Sequence, residues 1–171
     1  MKSKAVLLSL ALLLTFTGAA VLSAQSYKAL TDLLIDLPGY SGEAPKGMDM
    51  THEDMKAITA TREYEKGDSK LQAGIIVGQQ ASGVWNPSYQ KGLRMETSDG
   101  LMEVTEQNGF MMFHSYNKGK HEGMIAVLIE KGDAGGGAVF VFSYRGIDDK
   151  AGLSLAEKFD WKKIQTKVKG L

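Results

Sequence analysis

The sequence predicts an α+β fold: a twisted antiparallel sheet of about six strands with helices packed on it. Three observations carry this reading. Six segments of strand-like composition are joined mostly by tight, glycine-containing turns. The later strands are apolar on both alternating faces, as in "AVFVFSY" (Ala138 to Tyr144), so the sheet needs cover on two sides. Amphipathic segments with helical spacing stand near the start and at the end of the chain to supply that cover.

The opening stretch, "MKSKAVLLSLALLLTFTGAAVLSAQS", puts Lys2 and Lys4 ahead of an apolar run and small residues from Gly18 to Ala24. This is the layout of a secretory signal peptide, and cleavage is expected after Ser23 or Ala24. The alternative is an uncleaved anchor, since Ala5 to Ala24 is about the ~20 residues that a bilayer span needs. The threonines, Gly18 and the small-residue exit favour cleavage. Residues 1–24 are thus expected to be a leader and 25–171 a single α+β domain, a length within the commonest range for one core. The domain is expected to be exported, periplasmic or secreted, with no stable membrane insertion after cleavage.

No cysteine occurs, which rules out disulfides, lipid attachment through a thiol, iron–sulfur clusters and thiolate zinc sites. The chain carries 20 basic and 20 acidic side chains; losing Lys2 and Lys4 with the leader leaves a slightly acidic domain. Such a balance has no attraction for nucleic acid or for an anionic membrane.

In chain order, "SYKALTDLLIDLPGY" spaces Tyr27, Leu30, Leu33, Leu34 and Leu37 on one helical face, and Pro38-Gly39 ends it. Ser41 to Gly47 reads as a polar connector. Strands are expected at about 55–65 and 70–77, turning at Gly67, where a positive φ is needed. The "EKGD" around that turn recurs at Glu130 to Asp133 as reused turn chemistry. Asn86 can cap a brief helix with Pro87 at its first position and Tyr89 and Leu93 on one face. Four further strands follow at 101–105, 110–116, 124–129 and 138–144. The chain closes with "KAGLSLAEKF" and "DWKKIQTKVKGL", the latter capped by Asp160 and striped by Trp161, Ile164, Val168 and Leu171.

This element order, together with "GF" at Gly109-Phe110 and "FDW" at Phe159 to Trp161, resembles the PsbP-like α/β/α sandwich of small exported proteins. The resemblance spans most of the domain. It implies an accessory or binding module and transfers no functional residues.

The chemistry that stands out is "GMDMTHEDMK". On a strand, Met48, Met50 and His52 alternate onto one face; on a helix, Met48, His52 and Met55 stack. Thioether and imidazole donors suit Cu(I), and a cysteine-free exported protein that binds copper has these two ligand types to use. The competing explanation is that methionine fills gaps and that "THED" is a helix cap. His114 is expected on the strand face of Phe110, Met112 and Tyr116, as a core histidine; His121 is expected in a turn. Trp85 and Tyr89 offer either a partner surface or core packing. The acidic residues Glu43, Asp49, Glu53 and Asp54 read as a solvated face, and "GDAGGGAV" as a hairpin loop.

No G-x-S-x-G elbow, P-loop or dinucleotide fingerprint is present. The expected role is therefore a non-enzymatic accessory or binding domain for a protein or small ligand, without a cofactor. The alternative is a Cu(I)-type metal-handling protein using Met48, Met50, His52 and Met55, and an enzyme stands third.

Overall fold

The computed structural model describes residues 26–52, 55–86, 88–132 and 137–171. The expected leader, Glu53 and Asp54, Pro87 and most of the "GDAGGG" loop lie outside the described residues. Among the described residues three short helices, α1 (Ser26–Thr31), α2 (Asp149–Ala156) and α3 (Trp161–Val168), accompany nine strands. The strands are β1 (Ser41–Gly42), β2 (Lys46–His52), β3 (Met55–Lys66), β4 (Ser69–Gly78), β5 (Arg94–Glu96), β6 (Gly100–Gln107), β7 (Phe110–Asn117), β8 (Glu122–Lys131) and β9 (Gly137–Arg145). They form one antiparallel sheet in the order β1-β3-β4-β9-β8-β7-β6-β5, with β2 also pairing with β3.

The expectation of a six-stranded α+β sandwich is corrected: the molecule is mostly sheet, with nine strands and 49% strand against 20% helix. The six expected strands are present as β3, β4, β6, β7, β8 and β9, but β1, β2 and β5 were not anticipated. Those three lie at the edges of the sheet, where one side of the strand meets water and side chains need not be apolar. Every residue of β5 is exposed, and so are six of the seven in β2. The connector from Ser41 to Gly47 is therefore partly strand. Thr51 and His52 pair across β3 with Lys56 and Met55, so "THED" does not open a helix at Thr51.

The expected first helix is also shorter. Leu30, Leu33, Leu34 and Leu37 are all buried as one apolar face requires. After Thr31, however, the turn tightens to Leu33 N–H donating to Leu30 O at 3.0 Å and Leu34 N–H to Thr31 O at 3.1 Å. The carbonyls of the next residues are taken by the sheet: Arg62 Nη1 donates to Leu34 O at 2.8 Å and Tyr64 Oη to Ile35 O at 2.8 Å. Side chains on β3 thus replace the bonds that a longer helix would have made. Arg62 also donates to Glu43 O at 2.9 Å and pairs with the Asp36 carboxylate.

The brief helix expected from Asn86 is not formed among the described residues 88–93. The Asn86 side-chain oxygen accepts from Ser88 N–H at 2.9 Å, closing a turn two residues long. A 3-10 helix lies earlier instead, at Gln79–Gly83.

The sheet buries side chains on both faces. On one, α1 lies over β2 and β3 while α2 and α3 lie over β8 and β9, around Ile58, Tyr64, Ile75, Ile125, Phe140 and Phe142. On the other, the chain between β4 and β5 crosses back and packs Ala81, Trp85 and Tyr89 over Val104, Phe113, Ala126 and Val139. No helix among the described residues is long and apolar enough to cross a membrane.

Because Arg62 holds three acceptors in the 34–43 segment with a side chain only 13% exposed, Arg62→Met should cost about 2–4 kcal/mol. Urea unfolding would measure it; a loss below about 0.5 kcal/mol, the range of ordinary surface changes, would mean that the segment docks without this anchor.

Candidate functional site

Two features of the sheet carry chemistry, one on each face. The first lies under the helices. A single register row crosses the sheet through Arg62, Ala73, Phe142, Ile125, His114, Glu103 and Arg94. His114 is fully buried in that row. Its Nε2 lies 2.7 Å from Asp149 Oδ1 and 3.3 Å from Tyr144 Oη, and Tyr144 donates its hydroxyl to the same Oδ1 at 2.8 Å. A nitrogen that close to a carboxylate must carry the proton, which fixes the Nε2–H form.

On the other side of the ring, Nδ1 has no hydrogen-bond partner among the described residues; Glu103 Oε1 stands 3.6 Å away, and Glu103 Oε2 accepts from Arg94 Nη1 at 2.5 Å. The carboxylates are placed by backbone. Asp149 begins α2 directly after its cap Asp148, which accepts from Ala151 N–H at 2.7 Å, so the Asp149 charge sits at a helix N-terminus. Tyr144 is clamped between two glycines: a Cβ at Gly123 or Gly152 would collide with its ring. This explains a glycine inside α2, where helix propensity opposes it by about 1 kcal/mol.

Burial and the hydrogen bond to Asp149 both push the Tyr144 phenol up, with Asp148 and Tyr116 adding in the same direction. Burial likewise raises Tyr64 to about 12, partly opposed by the Arg62 charge. His114 and Tyr144 are 0% and 3% exposed, while the Asp149 and Glu103 side chains are part-exposed, and the direct effect of the cluster is to pin α2 to the sheet.

The second feature lies on the opposite face. Met95 pairs with Met102, Met102 with Ser115, Ser115 with Met124, Met124 with Ser143 and Ser143 with Gln72, a row running from β5 to β4. The crossing chain covers the neighbouring row at Val104, Phe113 and Ala126, and Met102 and Met124 pack half-buried against the edge of that cluster. A trough of about 530 Å³ results, walled by Met95, Met102 and Met124 with Asp99, Asn117 and Glu122 toward its polar end. It adjoins a second hollow of about 300 Å³ that shares Glu122 and Gly123 and continues past Ser143 and Gln72 to Lys70 and Arg145. Met95 is 56% exposed.

Of the residues singled out in the sequence, Met48, Met50 and His52 take the strand geometry: β2 alternates all three onto one face, and His52 stands opposite Met55 in the hairpin register. All three are exposed, Met48 and Met50 at 50% and 41%. They occupy the sheet edge opposite to β5 and do not approach the trough. Trp85 and Tyr89 are half-buried; Tyr89 stacks on Phe113 at 4.4 Å between ring centroids and Trp85 meets Tyr89 edge-on at 5.6 Å. His114 shares its face with Phe110, Met112 and Tyr116, and exposed His121 accepts or donates at 3.1 Å to Tyr116 Oη through Nδ1. What sequence reading missed is the methionine row and the Asp149–His114–Glu103 chain, since both are assembled across strands. Among the described residues, no group of three or more carboxylates and imidazoles is arranged to hold a metal ion.

Comparison with family models, with curated proteins and with solved structures found no match. Nothing among these comparisons identifies a PsbP-like family.

The raised phenols set the alkaline limit of the fold. A phenol whose folded value lies above its ordinary value of 10.0 keeps its proton longer in the folded state, so its contribution is complete below pH 10 and is lost as pH rises toward 12 for Tyr64. Denaturant unfolding should therefore show stability falling between pH 10 and 12, less steeply in Tyr64→Phe. If all six tyrosines ionise together near pH 10 at 295 nm without unfolding, the burial argument fails.

Proposed function

We propose that the chain is an exported, non-enzymatic binding domain that recognises a protein or small ligand on the face of the sheet left open beside the crossing chain. The observation that carries this reading is the trough, an apolar wall of three methionines ending in polar and charged groups, within the size range of small-ligand clefts. Methionine surfaces repack around ligands of different shape, which suits recognition better than catalysis. The acid–base groups around His114 serve the packing of α2 on the helix side of the sheet, and the imidazole itself is fully buried. Export is supported by the leader-like pattern of residues 1–24.

A fluorescent apolar anion such as 8-anilinonaphthalene-1-sulfonate should bind the folded protein and shift the methyl resonances of Met95, Met102 and Met124. Met95→Glu places a charge in the wall and should weaken the probe by roughly tenfold, about 1.4 kcal/mol. Equal binding to this variant would remove the trough as the ligand surface.

A second reading, Cu(I)-type metal handling by Met48, Met50, His52 and Met55, is favoured by the single exposed face on which β2 sets its two thioethers and imidazole. Anaerobic Cu(I) competition against a chromogenic chelator tests it. On that reading the variant combining Met48→Leu, Met50→Leu, His52→Ala and Met55→Leu loses binding, and retention would end it.

A further inference from the structure

We propose that the trough holds a soft monovalent metal, Cu(I), through the thioethers of Met95, Met102 and Met124. The inference rests on the trough being the ligand surface and names its occupant. No stretch of sequence groups these residues; the register does. Met95 and Met102 are directly opposite on β5 and β6, where Cβ atoms of paired residues stand about 4.5–5.5 Å apart. Met124 lies on β8, two strands from Met102, with only Ser115 on the strand between them.

Two strand spacings are about 10 Å, and the short serine leaves the space above it free for two long side chains to lean across. Methionine has three rotatable bonds with which to do so, and all three side chains line the same cavity.

The donor set decides the metal. Three neutral thioethers are soft ligands, which favour Cu(I) over the hard divalent ions that demand carboxylate or water oxygen. Asp99 at the rim carries a negative charge at the cavity's polar end, favourable to an arriving cation. The β2 hairpin offers a different set, with His52 opposite Met55 as its one cross-strand pair of soft donors. Met48 and Met50 succeed each other along one strand about 7 Å apart, at an edge with no further strand beyond it.

The test is an anaerobic titration of the full chain with Cu(I) in competition with a chromogenic Cu(I) chelator, read in parallel from methyl-labelled methionines by NMR. The expected result is one Cu(I) per chain, with the Met95, Met102 and Met124 methyl signals moving together. Replacing all three by leucine, a volume-conserving change, should weaken binding beyond the roughly 10–100-fold that loss of an outer-shell partner costs. Met95→Leu alone, at a side chain 56% exposed and so without consequence for folding, should weaken it at least about tenfold. Met48→Leu with Met50→Leu should leave it unchanged.

Unaltered affinity in Met95→Leu, shifts confined to Met48 and Met50, or no competition with the chelator would each overturn the proposal. The apolar-probe titration separates the two levels. A probe that binds the trough where Cu(I) does not leaves the ligand surface standing and removes only the metal; a trough that takes neither removes both.

Discussion

The three central strands, β4, β9 and β8, are apolar on both faces, and the rest of the architecture answers the demand to cover them twice. Ile75, Phe140, Phe142, Ile125 and Val127 look toward the helices, while Val139 and Ala126 look the other way, and all are buried. At about 25 cal/mol per Å² of apolar surface, leaving either side wet would forfeit more than the marginal stability of a domain this size provides. Three short helices suffice for one face only. The other is covered by the chain between β4 and β5, whose 3-10 turn, Trp85 and Tyr89 act as a lid over Val104 and Phe113. The methionine row lies at the margin of that lid, half-buried at Met102 and Met124 and exposed at Met95. The candidate site is thus a direct consequence of how the second face is closed.

The buried polar row solves a related problem on the helix side. β6 and β5 extend beyond the cover of α2 and α3, so the sheet must pass from an apolar core to an open flank. It does so within one row, from Phe142 and Ile125 through His114 to Glu103 and Arg94. The imidazole is the transition: fully buried, yet bonded through Nε2 to a carboxylate that α2 delivers at its own N-terminus. Tyr144, held between Gly123 and Gly152, sets the height of α2 above the sheet and donates to the same carboxylate. Helix placement and polar satisfaction are therefore one arrangement, and disturbing either glycine would disturb both.

Much of the sheet was legible because core strands declare themselves locally. Alternating apolar residues bounded by Gly67 or by Asn108-Gly109 mark a strand and its turn without knowledge of the partner, and both glycines and Asn108 do take positive φ. The edge strands gave no such signal. β2, reading KGMDMTH, has no buried face to impose a pattern, and its strand character comes from seven pairings to β3. The helix expected at Asn86 failed for a similar reason. Its cap signal was real, but the Asn86 side chain closed a two-residue turn on Ser88, and Tyr89 was drawn flat onto Phe113 rather than along a helical stripe. In the first helix the leucine spacing was right and the length was not, since Arg62 and Tyr64 compete for its last carbonyls from more than twenty residues away.

The same distinction governs the candidate site. Within a sequence, the only visible way to gather thioethers is proximity, which singles out Met48, Met50 and Met55 and passes over Met95, Met102 and Met124. Within an antiparallel sheet, proximity along a strand separates same-face side chains by about 7 Å, whereas pairing across strands brings them to about 5 Å. Residues dispersed in the sequence can therefore be gathered as well as a local cluster, provided the turns place them in one register. Here they do: the turn at Asn108-Gly109 sets Met102 opposite Ser115, and the hairpin closing at His121, which also takes a positive φ, sets Ser115 opposite Met124. A slip of one residue in either hairpin would turn its methionine to the helix face. The row survives only because the apolar residues beside it, Val104, Phe113 and Ala126, are held to that same face by Tyr89 and the crossing chain. The packing that stabilises the sheet is thus also what aligns the methionines.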